Sequence, residues 1–148
     1  MARAGYATES RVGYLVKRVQ TALRAAMDQA FRPLGIGVSQ YAILEALIEM
    51  PESEATNAAL ARRCFITPQS ANEMIATMTE GRLVARRTSP GARRITFSLT
   101  KRGRVKCAEG RRLSLELEER MLSGQTRDDR ARLAGLLVNC ARALERSS

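Results

Sequence analysis

The sequence predicts a mainly α-helical chain with one small β-hairpin. Its 148 residues, of which 45% are hydrophobic and 27% charged, suit a single globular unit. Apolar residues recur at intervals of three and four over most of the chain, which is the period of an amphipathic helix. At Ile95, Phe97 and Leu99 they alternate with polar residues instead, as in a half-buried strand.

The first two helices are predicted around a turn rich in glycine and proline. The first helix ends near Pro33, and the segment RPLGIG that follows is typical of a turn. Ser39 is the expected N-cap of the second helix, which Pro51 ends. The apolar stripe of the first helix comprises Val12, Leu15, Val16, Val19, Leu23, Ala26, Met27 and Ala30.

Two shorter helices follow, each with a capping residue. Thr56 or Asn57 caps the third helix. Thr67 caps the fourth, with Pro68 at the first helical position, where its missing N–H costs little. The fourth helix is predicted to reach about residue 80, where Gly81 ends it.

The hairpin is predicted from strands at 83–88 and 95–99, joined by the turn Ser89-Pro90-Gly91-Ala92. Thr100 then caps a long fifth helix that stops at 123–124. Thr126 and Asp129 form the pattern of a capping box for a last, leucine-rich helix. Two short helices joined by a tight turn and followed by a hairpin describe a winged helix-turn-helix.

The positive charge of the chain lies almost entirely in its middle third. The formal charge is +10, and residues 58–107 carry 11 basic and 2 acidic groups, a net of +9. A surface that served only solubility would spread its charge more evenly, so this clustering indicates a binding surface for phosphate. From 67 to 78, however, the fourth helix has no Lys or Arg and one acid, Glu73. The attraction must therefore come from its neighbours.

Several classes of protein are excluded or disfavoured by what the sequence lacks. It has no histidine, which removes Ser-His-Asp and Cys-His catalytic pairs and every histidine-containing metal site. Cys64, Cys107 and Cys140 are widely spaced and contain no CxxC pair. We expect no enzyme activity, catalytic residue, metal or cofactor. No apolar run is long enough to span a membrane and no secretory signal is recognisable, so we expect a cytoplasmic location without membrane partners.

Over nearly its whole length the chain resembles the multiple-antibiotic-resistance regulator (MarR) family. The resemblance is carried by RPLGIGVSQYAILEAL, by TNAALARRCFITPQSANEMIATMTEGRLVARR and by the hairpin RRITFSLTKRGR. It implies a homodimeric transcriptional regulator, usually a repressor, that is often relieved by a small ligand. Residues 37–100 would form the winged helix-turn-helix, and 1–36 with 101–148 the dimerisation helices. Phe65 stands where a Gly is common, and Gly91 where the family usually has an Asp.

Double-stranded DNA with a pseudo-palindromic operator is the expected partner, together with a second copy of the chain. Base contacts are expected from residues near the start of the fourth helix, namely Gln69, Ser70, Asn72 and Glu73. Backbone contacts, with the wing arginines reaching into the minor groove, are expected from Arg62, Arg63, Thr67, Arg86, Arg87, Arg93 and Arg94. The alternative for both sets is a solvated surface.

A small-molecule effector is a further candidate partner. The family resemblance puts its pocket where the dimerisation helices meet the winged domain, with Tyr14, Met27, Tyr41, Leu44 and Met50 as candidate lining residues. The alternative is plain core packing, which is the more common role of an apolar residue at helical spacing. Two other functions stay open from the sequence: a basic protein that binds nucleic acid without sequence preference, and a regulator that senses oxidation through a thiol.

Overall fold

The structure is a computed structural model that describes residues 8–88, 91 and 93–146. This part of the chain forms six α-helices and a two-stranded antiparallel hairpin, so the predicted class is confirmed. In chain order the elements are α1 (Val12–Phe31), α2 (Val38–Glu49), α3 (Asn57–Arg63), α4 (Pro68–Glu80), β1 (Val84–Thr88), β2 (Ile95–Leu99), α5 (Lys101–Met121) and α6 (Arg127–Glu145).

One hydrophobic core joins α2, α3 and α4 to the base of the hairpin and to α5. The ring of Phe31, at the end of α1, meets the ring of Tyr41 edge-on, with centroids 5.1 Å apart. The core therefore fixes the short helices and the hairpin relative to one another. Its largest fully buried side chains are Phe31, Ile43, Leu44, Leu60, Met78, Val84 and Cys107.

Threonine caps set the starts of four helices, as predicted. The hydroxyl oxygens of Thr56, Thr67, Thr100 and Thr126 each accept a hydrogen bond from the backbone N–H three residues later. Each such cap is worth about 1 kcal/mol. The carboxylate of Asp129 also accepts from the Thr126 N–H at 3.3 Å, which completes the predicted capping box.

The predicted start of the second helix was wrong in detail. Ser39 lies inside α2, where its hydroxyl accepts from Arg24 at 3.4 Å; Gly37 is the N-cap, and its N–H donates to the Gln40 side chain at 2.9 Å. The predicted end of α4 is confirmed, since the helix stops at Glu80 with Gly81 as its C-cap. The left-handed conformation, however, falls on Arg82 (φ 58°), whereas Gly81 keeps a helical φ of −72°.

The end of α4 is a Schellman motif that forms without a glycine in the left-handed position. The N–H of Leu83 donates to the Met78 carbonyl at 2.9 Å, and that of Arg82 to the Thr79 carbonyl at 3.0 Å. Leu83 is therefore part of this motif, so β1 begins at Val84. In the hairpin turn, Gly91 has the left-handed φ of 81°, while Ser89, Pro90 and Ala92 lie outside the described residues.

The terminal helices leave most of their apolar surface uncovered within one protomer. Only Phe31 of α1 is buried, and no residue of α6 is. Exposed apolar side chains on these two helices are Val12, Tyr14, Leu15, Val16, Val19, Leu133, Leu136, Leu137, Val138 and Leu144. None of the helices in the described ranges is long and apolar enough to cross a lipid bilayer.

Candidate nucleic-acid interface

The packing of α3 against α4 turns one polar face of α4 outward. Ala71, Ile75 and Met78 of α4 are buried against Leu60 and Ala61 of α3. The opposite face therefore points away from the core. Of the four residues expected to contact bases, the structure exposes Gln69, Asn72 and Glu73 and half-buries Ser70.

Hydrogen bonds order the first turn of α4. The N–H of Ser70 donates to the Thr67 hydroxyl at 3.1 Å, and that hydroxyl lies 2.9 Å from the Ser70 hydroxyl. One turn further, the amide nitrogen of Gln69 donates to the Glu73 carboxylate at 3.3 Å. The side-chain amide of Asn57, from the start of α3, donates to the Pro68 carbonyl at 3.2 Å. The N-terminus of α4 is thus held by its own side chains and by α3.

The turn between α3 and α4 contains an exposed aromatic residue in an unusual conformation. Phe65 has φ 55° and its side chain is 91% exposed. A left-handed conformation costs a residue with a side chain about 1–2 kcal/mol, which explains why glycine is common at such positions. The next N–H, of Ile66, donates to the Ala61 carbonyl at 3.1 Å and closes the turn. Phe65 in place of the more common glycine therefore leaves the turn intact.

The hairpin is anchored on two sides. The N–H of Phe97 in β2 donates to the Ala55 carbonyl just before α3 at 3.0 Å. At its base, the Thr100 hydroxyl donates to the Arg82 carbonyl at 2.6 Å. These bonds fix the hairpin beside the helix-turn-helix. Its four arginines are all exposed, with Arg86 and Arg87 in β1 opposite Phe97 and Thr96, and Arg93 and Arg94 next to β2.

The seven residues expected to contact the DNA backbone differ in whether they already pair with other side chains of the protein. Arg63 forms an ion pair with Glu49 at the end of α2. Arg87 lies 3.7 Å from Glu52 and donates to the Ser98 hydroxyl at 3.0 Å. The other four candidate arginines are exposed and have no acidic partner among the described residues, namely Arg62, Arg86, Arg93 and Arg94.

A cleft of about 360 Å³ lies among α1, α2, the end of α3 and α5. Met27 of α1 and Tyr41 of α2, both predicted to line an effector pocket, lie in its wall. Of the other three candidates, Leu44 is fully buried in the core, Tyr14 is exposed on α1, and Met50 lines a separate open groove beside α3. The cleft is also lined by Glu45, Glu49, Arg63, Cys64 and Ser114.

A polar cluster at the side of this cleft was missed by sequence reasoning. Glu45 accepts hydrogen bonds from Arg111 at 2.9 and 3.1 Å and from the Cys107 thiol at 3.3 Å. Burial alone would raise the pKa of Glu45, but the hydrogen bonds from Arg111 and Cys107 and the charge of Arg111 outweigh it and lower the pKa. Burial and the nearby Glu45 raise the pKa of Tyr41 to about 12.

The thiols near the cleft are held in their protonated form. Burial raises the pKa of Cys107 to about 12, with a further contribution from Glu45. Burial also raises the pKa of Cys64, although the charge of Arg63 opposes the shift. Because the thiolate is the reactive form, neither environment favours oxidation. In the described part of the chain, no group of three or more acidic or cysteine side chains is placed to hold a metal ion.

Comparison with known proteins gives consistent matches. A family model described as MarR family matches residues 34–95. The HTH-type transcriptional repressor Rv2887 of Mycobacterium tuberculosis is 33% identical to this chain over 102 residues, which are 68% of this chain and 72% of the repressor.

Solved structures with the same architecture include proteins bound to DNA and to a ligand. A MarR-family regulator from Rhodococcus sp. RHA1 is similar with a TM-score of 0.82 at 21% identity, covering 92% of this chain and 96% of that one. Rv2887 in complex with DNA is similar with a TM-score of 0.72 at 25% identity, covering 88% of this chain and 98% of that one. For the same repressor in complex with salicylic acid the TM-score is 0.73 at 27% identity, covering 90% of this chain and 98% of that one.

Proposed function

Because the chain belongs to the MarR family of transcriptional regulators, we propose that it is a homodimeric, sequence-specific DNA-binding repressor. The observation that carries the proposal is a basic surface on which Arg94 of the hairpin and Arg62 and Arg63 of α3 line one groove, together with the exposed polar side chains at the start of α4. The DNA complex of the related Rv2887 supports it. In this proposal α4 enters the major groove, where Gln69, Ser70, Asn72 and Glu73 face base edges.

Affinity in this arrangement comes from arginine contacts with phosphate. We place Arg62 and Arg86 on the DNA backbone, and Arg93 with Arg94 at or in the minor groove. Arg63 and Arg87 can join them by exchanging Glu49 and Glu52 for phosphate, and Thr67 adds a hydroxyl at the start of α4. These contacts position the protein, and the α4 side chains supply its sequence preference.

Dimerisation is proposed through α1, α5 and α6. The exposed apolar surface of α1 and α6 is the supporting observation, since a monomer leaves Leu136 and Leu137 about half exposed to water. A two-fold dimer would present two α4 helices to half-sites about one DNA turn apart, roughly 34 Å.

A competition shift assay tests the DNA-binding proposal. We expect the chain to prefer a DNA fragment selected from a random library over random duplex by about 10³-fold or more. If 6–10 phosphates are contacted, log affinity should fall with log salt with a slope near −5 to −9. Arg94→Ala should reduce the magnitude of the slope by about two, one for each protomer of the dimer, whereas Arg112→Ala, on the exposed side of α5, should not change it.

Each contrary outcome points to a different function. Equal affinity for selected and random DNA would identify a sequence-indifferent nucleic-acid binder. Binding of neither probe would identify a protein that has kept the fold without the function. Loss of binding on peroxide treatment that Cys64→Ser abolishes would identify a thiol-based sensor.

We also propose that a small molecule binds the cleft and weakens DNA binding. The cleft touches α1 and α5 on one side and Arg63 of α3 on the other, so an occupant contacts both the dimerisation and DNA-binding elements. The salicylic acid complex of Rv2887 makes salicylate a suitable first probe. Titration calorimetry should detect its binding, and Ala42→Trp, which fills the cleft, should abolish it. An unchanged heat of binding in that variant would place the ligand elsewhere.

A further inference from the structure

The outward face of α4 carries a pair of side chains whose arrangement bears on base preference. Glu73 is the single charged residue between 67 and 78. Its carboxylate accepts a hydrogen bond from the amide nitrogen of Gln69, one helical turn earlier, at 3.3 Å. Both side chains are exposed, so this contact does not serve the core. An acid on a helix that approaches a polyanion opposes binding, which suggests that the contact has another role.

The chemistry of the pair fixes which end of the Gln69 amide faces Glu73. A primary amide has a carbonyl oxygen that accepts and a nitrogen with two protons that donates, and it can rotate to present either end. A carboxylate can only accept, so it attracts the nitrogen and repels the carbonyl oxygen. When Glu73 takes the Nε2 proton that points away from Oε1, the second proton and Oε1 remain side by side on the free edge of the amide.

That free edge, one donor beside one acceptor, matches adenine and mismatches guanine. Adenine presents an acceptor at N7 and a donor at N6, whereas guanine presents acceptors at both N7 and O6. Against guanine, Oε1 of Gln69 would face O6, acceptor against acceptor. We propose that Glu73 is a positioning residue that orients the Gln69 amide. This inference rests on the proposed DNA-binding function. The oriented amide makes α4 select adenine over guanine at one base pair of each half-site.

Ser70 and Asn72, the neighbouring residues expected to contact bases, lack this arrangement. The Ser70 hydroxyl is engaged with Thr67, and a hydroxyl discriminates poorly because it both donates and accepts. Within the described residues, no hydrogen bond holds the Asn72 amide. It can therefore present either end to a base. The strongest purine preference is consequently expected at the Gln69 position.

Selection from a randomised double-stranded DNA library tests the inference with five proteins: wild type, Gln69→Ala, Glu73→Ala, Glu73→Gln and Glu80→Gln. Gln69→Ala identifies the base pair that this side chain contacts. At that pair we expect wild type to prefer adenine over guanine by about tenfold or more. Glu73→Ala should reduce the preference to within about twofold. Glu73→Gln should leave an intermediate preference, since the new amide can either accept from the Gln69 nitrogen or donate to its oxygen.

Glu80→Gln is the matched control, because it removes the other carboxylate of α4, at the far end of the helix, without affecting Gln69. It should leave the base preference unchanged. Thermal unfolding verifies that each variant is folded; the substituted side chains are exposed, so no large shift is expected.

Three results would overturn the inference. Glu73→Ala could keep the adenine preference, Glu73→Gln could keep it in full, or Glu73→Ala could change only a cytosine preference at a neighbouring pair. The last result would make Glu73 a direct reader of bases. A wild-type chain that selects no consensus sequence would refute the proposed function together with this inference, whereas a wild-type consensus unaffected by Glu73→Ala would refute the inference alone.

Discussion

At Gly103, α5 passes so close to the start of the hairpin that one methyl group has no room. A Cβ there would lie 2.0 Å from the Leu83 carbonyl oxygen, which is backbone and cannot rotate away. We expect Gly103→Ala to destabilise the protein by about 1–3 kcal/mol, measured by urea unfolding. Gly13→Ala, in the first turn of α1 with nothing within 4 Å of its Cβ, is the control and should be neutral or stabilising. Equal stability of the two variants would contradict the observed packing.

The ion pair between Arg111 and Glu45 gives the second prediction at the scale of single residues. The pKa of Glu45 is lower in the folded protein than in the unfolded chain, so its ionisation stabilises the fold above the unfolded pKa of about 4.3. This contribution disappears as the pH falls through the folded pKa. Arg111→Gln removes the charge and the hydrogen bonds of Arg111 that lower the pKa, while the burial that raises it remains. The variant should therefore lose stability at pH 7 and approach wild type near pH 3.

Urea unfolding at both pH values measures this difference. Arg112→Gln is the control. Arg112 also pairs with a glutamate, Glu116, but both side chains of this pair are more than half exposed. An exposed pair of this kind contributes about 0–1 kcal/mol, so its removal should change the stability little. A loss in Arg111→Gln that is equally large at pH 3 and pH 7 would mean that Arg111 acts through packing rather than through the charge of Glu45.

Between elements, the pair of Arg63 and Glu49 connects α3 to the end of α2 at the rim of the cleft. If Arg63 contacts phosphate, it must leave Glu49, and Glu49→Gln removes that competition. Operator affinity should rise by up to about fivefold for each protomer of the dimer, because surface ion pairs are worth at most about 1 kcal/mol. Fluorescence anisotropy with labelled operator measures the change. Glu116→Gln removes a carboxylate of α5 as the control, and equal gains in both variants would indicate a general charge effect.

The sequence predicted elements better than the contacts between them. The threonine caps at 56, 67, 100 and 126 were predictable because a cap is a local interaction within three residues. The left-handed Arg82 was not, because Gly81 is the better candidate by local preference and the packing of Leu83 decided otherwise. The pairs that shape the cleft join residues 14 and 66 positions apart, and no local pattern links them.

In the candidate site, too, local features could be predicted from the sequence and contacts between distant residues could not. Exposure of Gln69, Asn72 and Glu73 followed from the helical period, and the exposed arginines followed from the position of the hairpin. The engagement of Arg63 and Arg87 with acids could not be inferred, because it depends on where α2 and the turn Glu52–Glu54 lie relative to the hairpin. Charge counted along a sequence thus overestimates the charge that is free to bind a partner.

At the scale of the whole molecule, the terminal helices determine whether two protomers associate, and therefore how many contacts the protein makes with one DNA site. No residue of α6 is buried in the protomer, and Leu136 is 54% exposed. A charge at the centre of a dimer interface is costly because it is removed from water without a partner. Leu136→Glu should therefore shift the protein from dimer to monomer, measured by sedimentation equilibrium. Ile48→Glu, at the end of α2 and 41% exposed, is the control and should remain dimeric.

Loss of the dimer should weaken operator binding far more than loss of any one contact. In a dimer, binding of the first α4 holds the second near its half-site at a high effective concentration, which multiplies the affinity by about 10²–10⁴. A monomer loses this factor, and its salt slope should fall to about half because half the phosphates are contacted. Leu136→Glu should show both changes while its thermal unfolding remains cooperative. A monomeric variant with the full affinity and slope would mean that one protomer makes all of the DNA contacts, and the two-fold arrangement would be wrong.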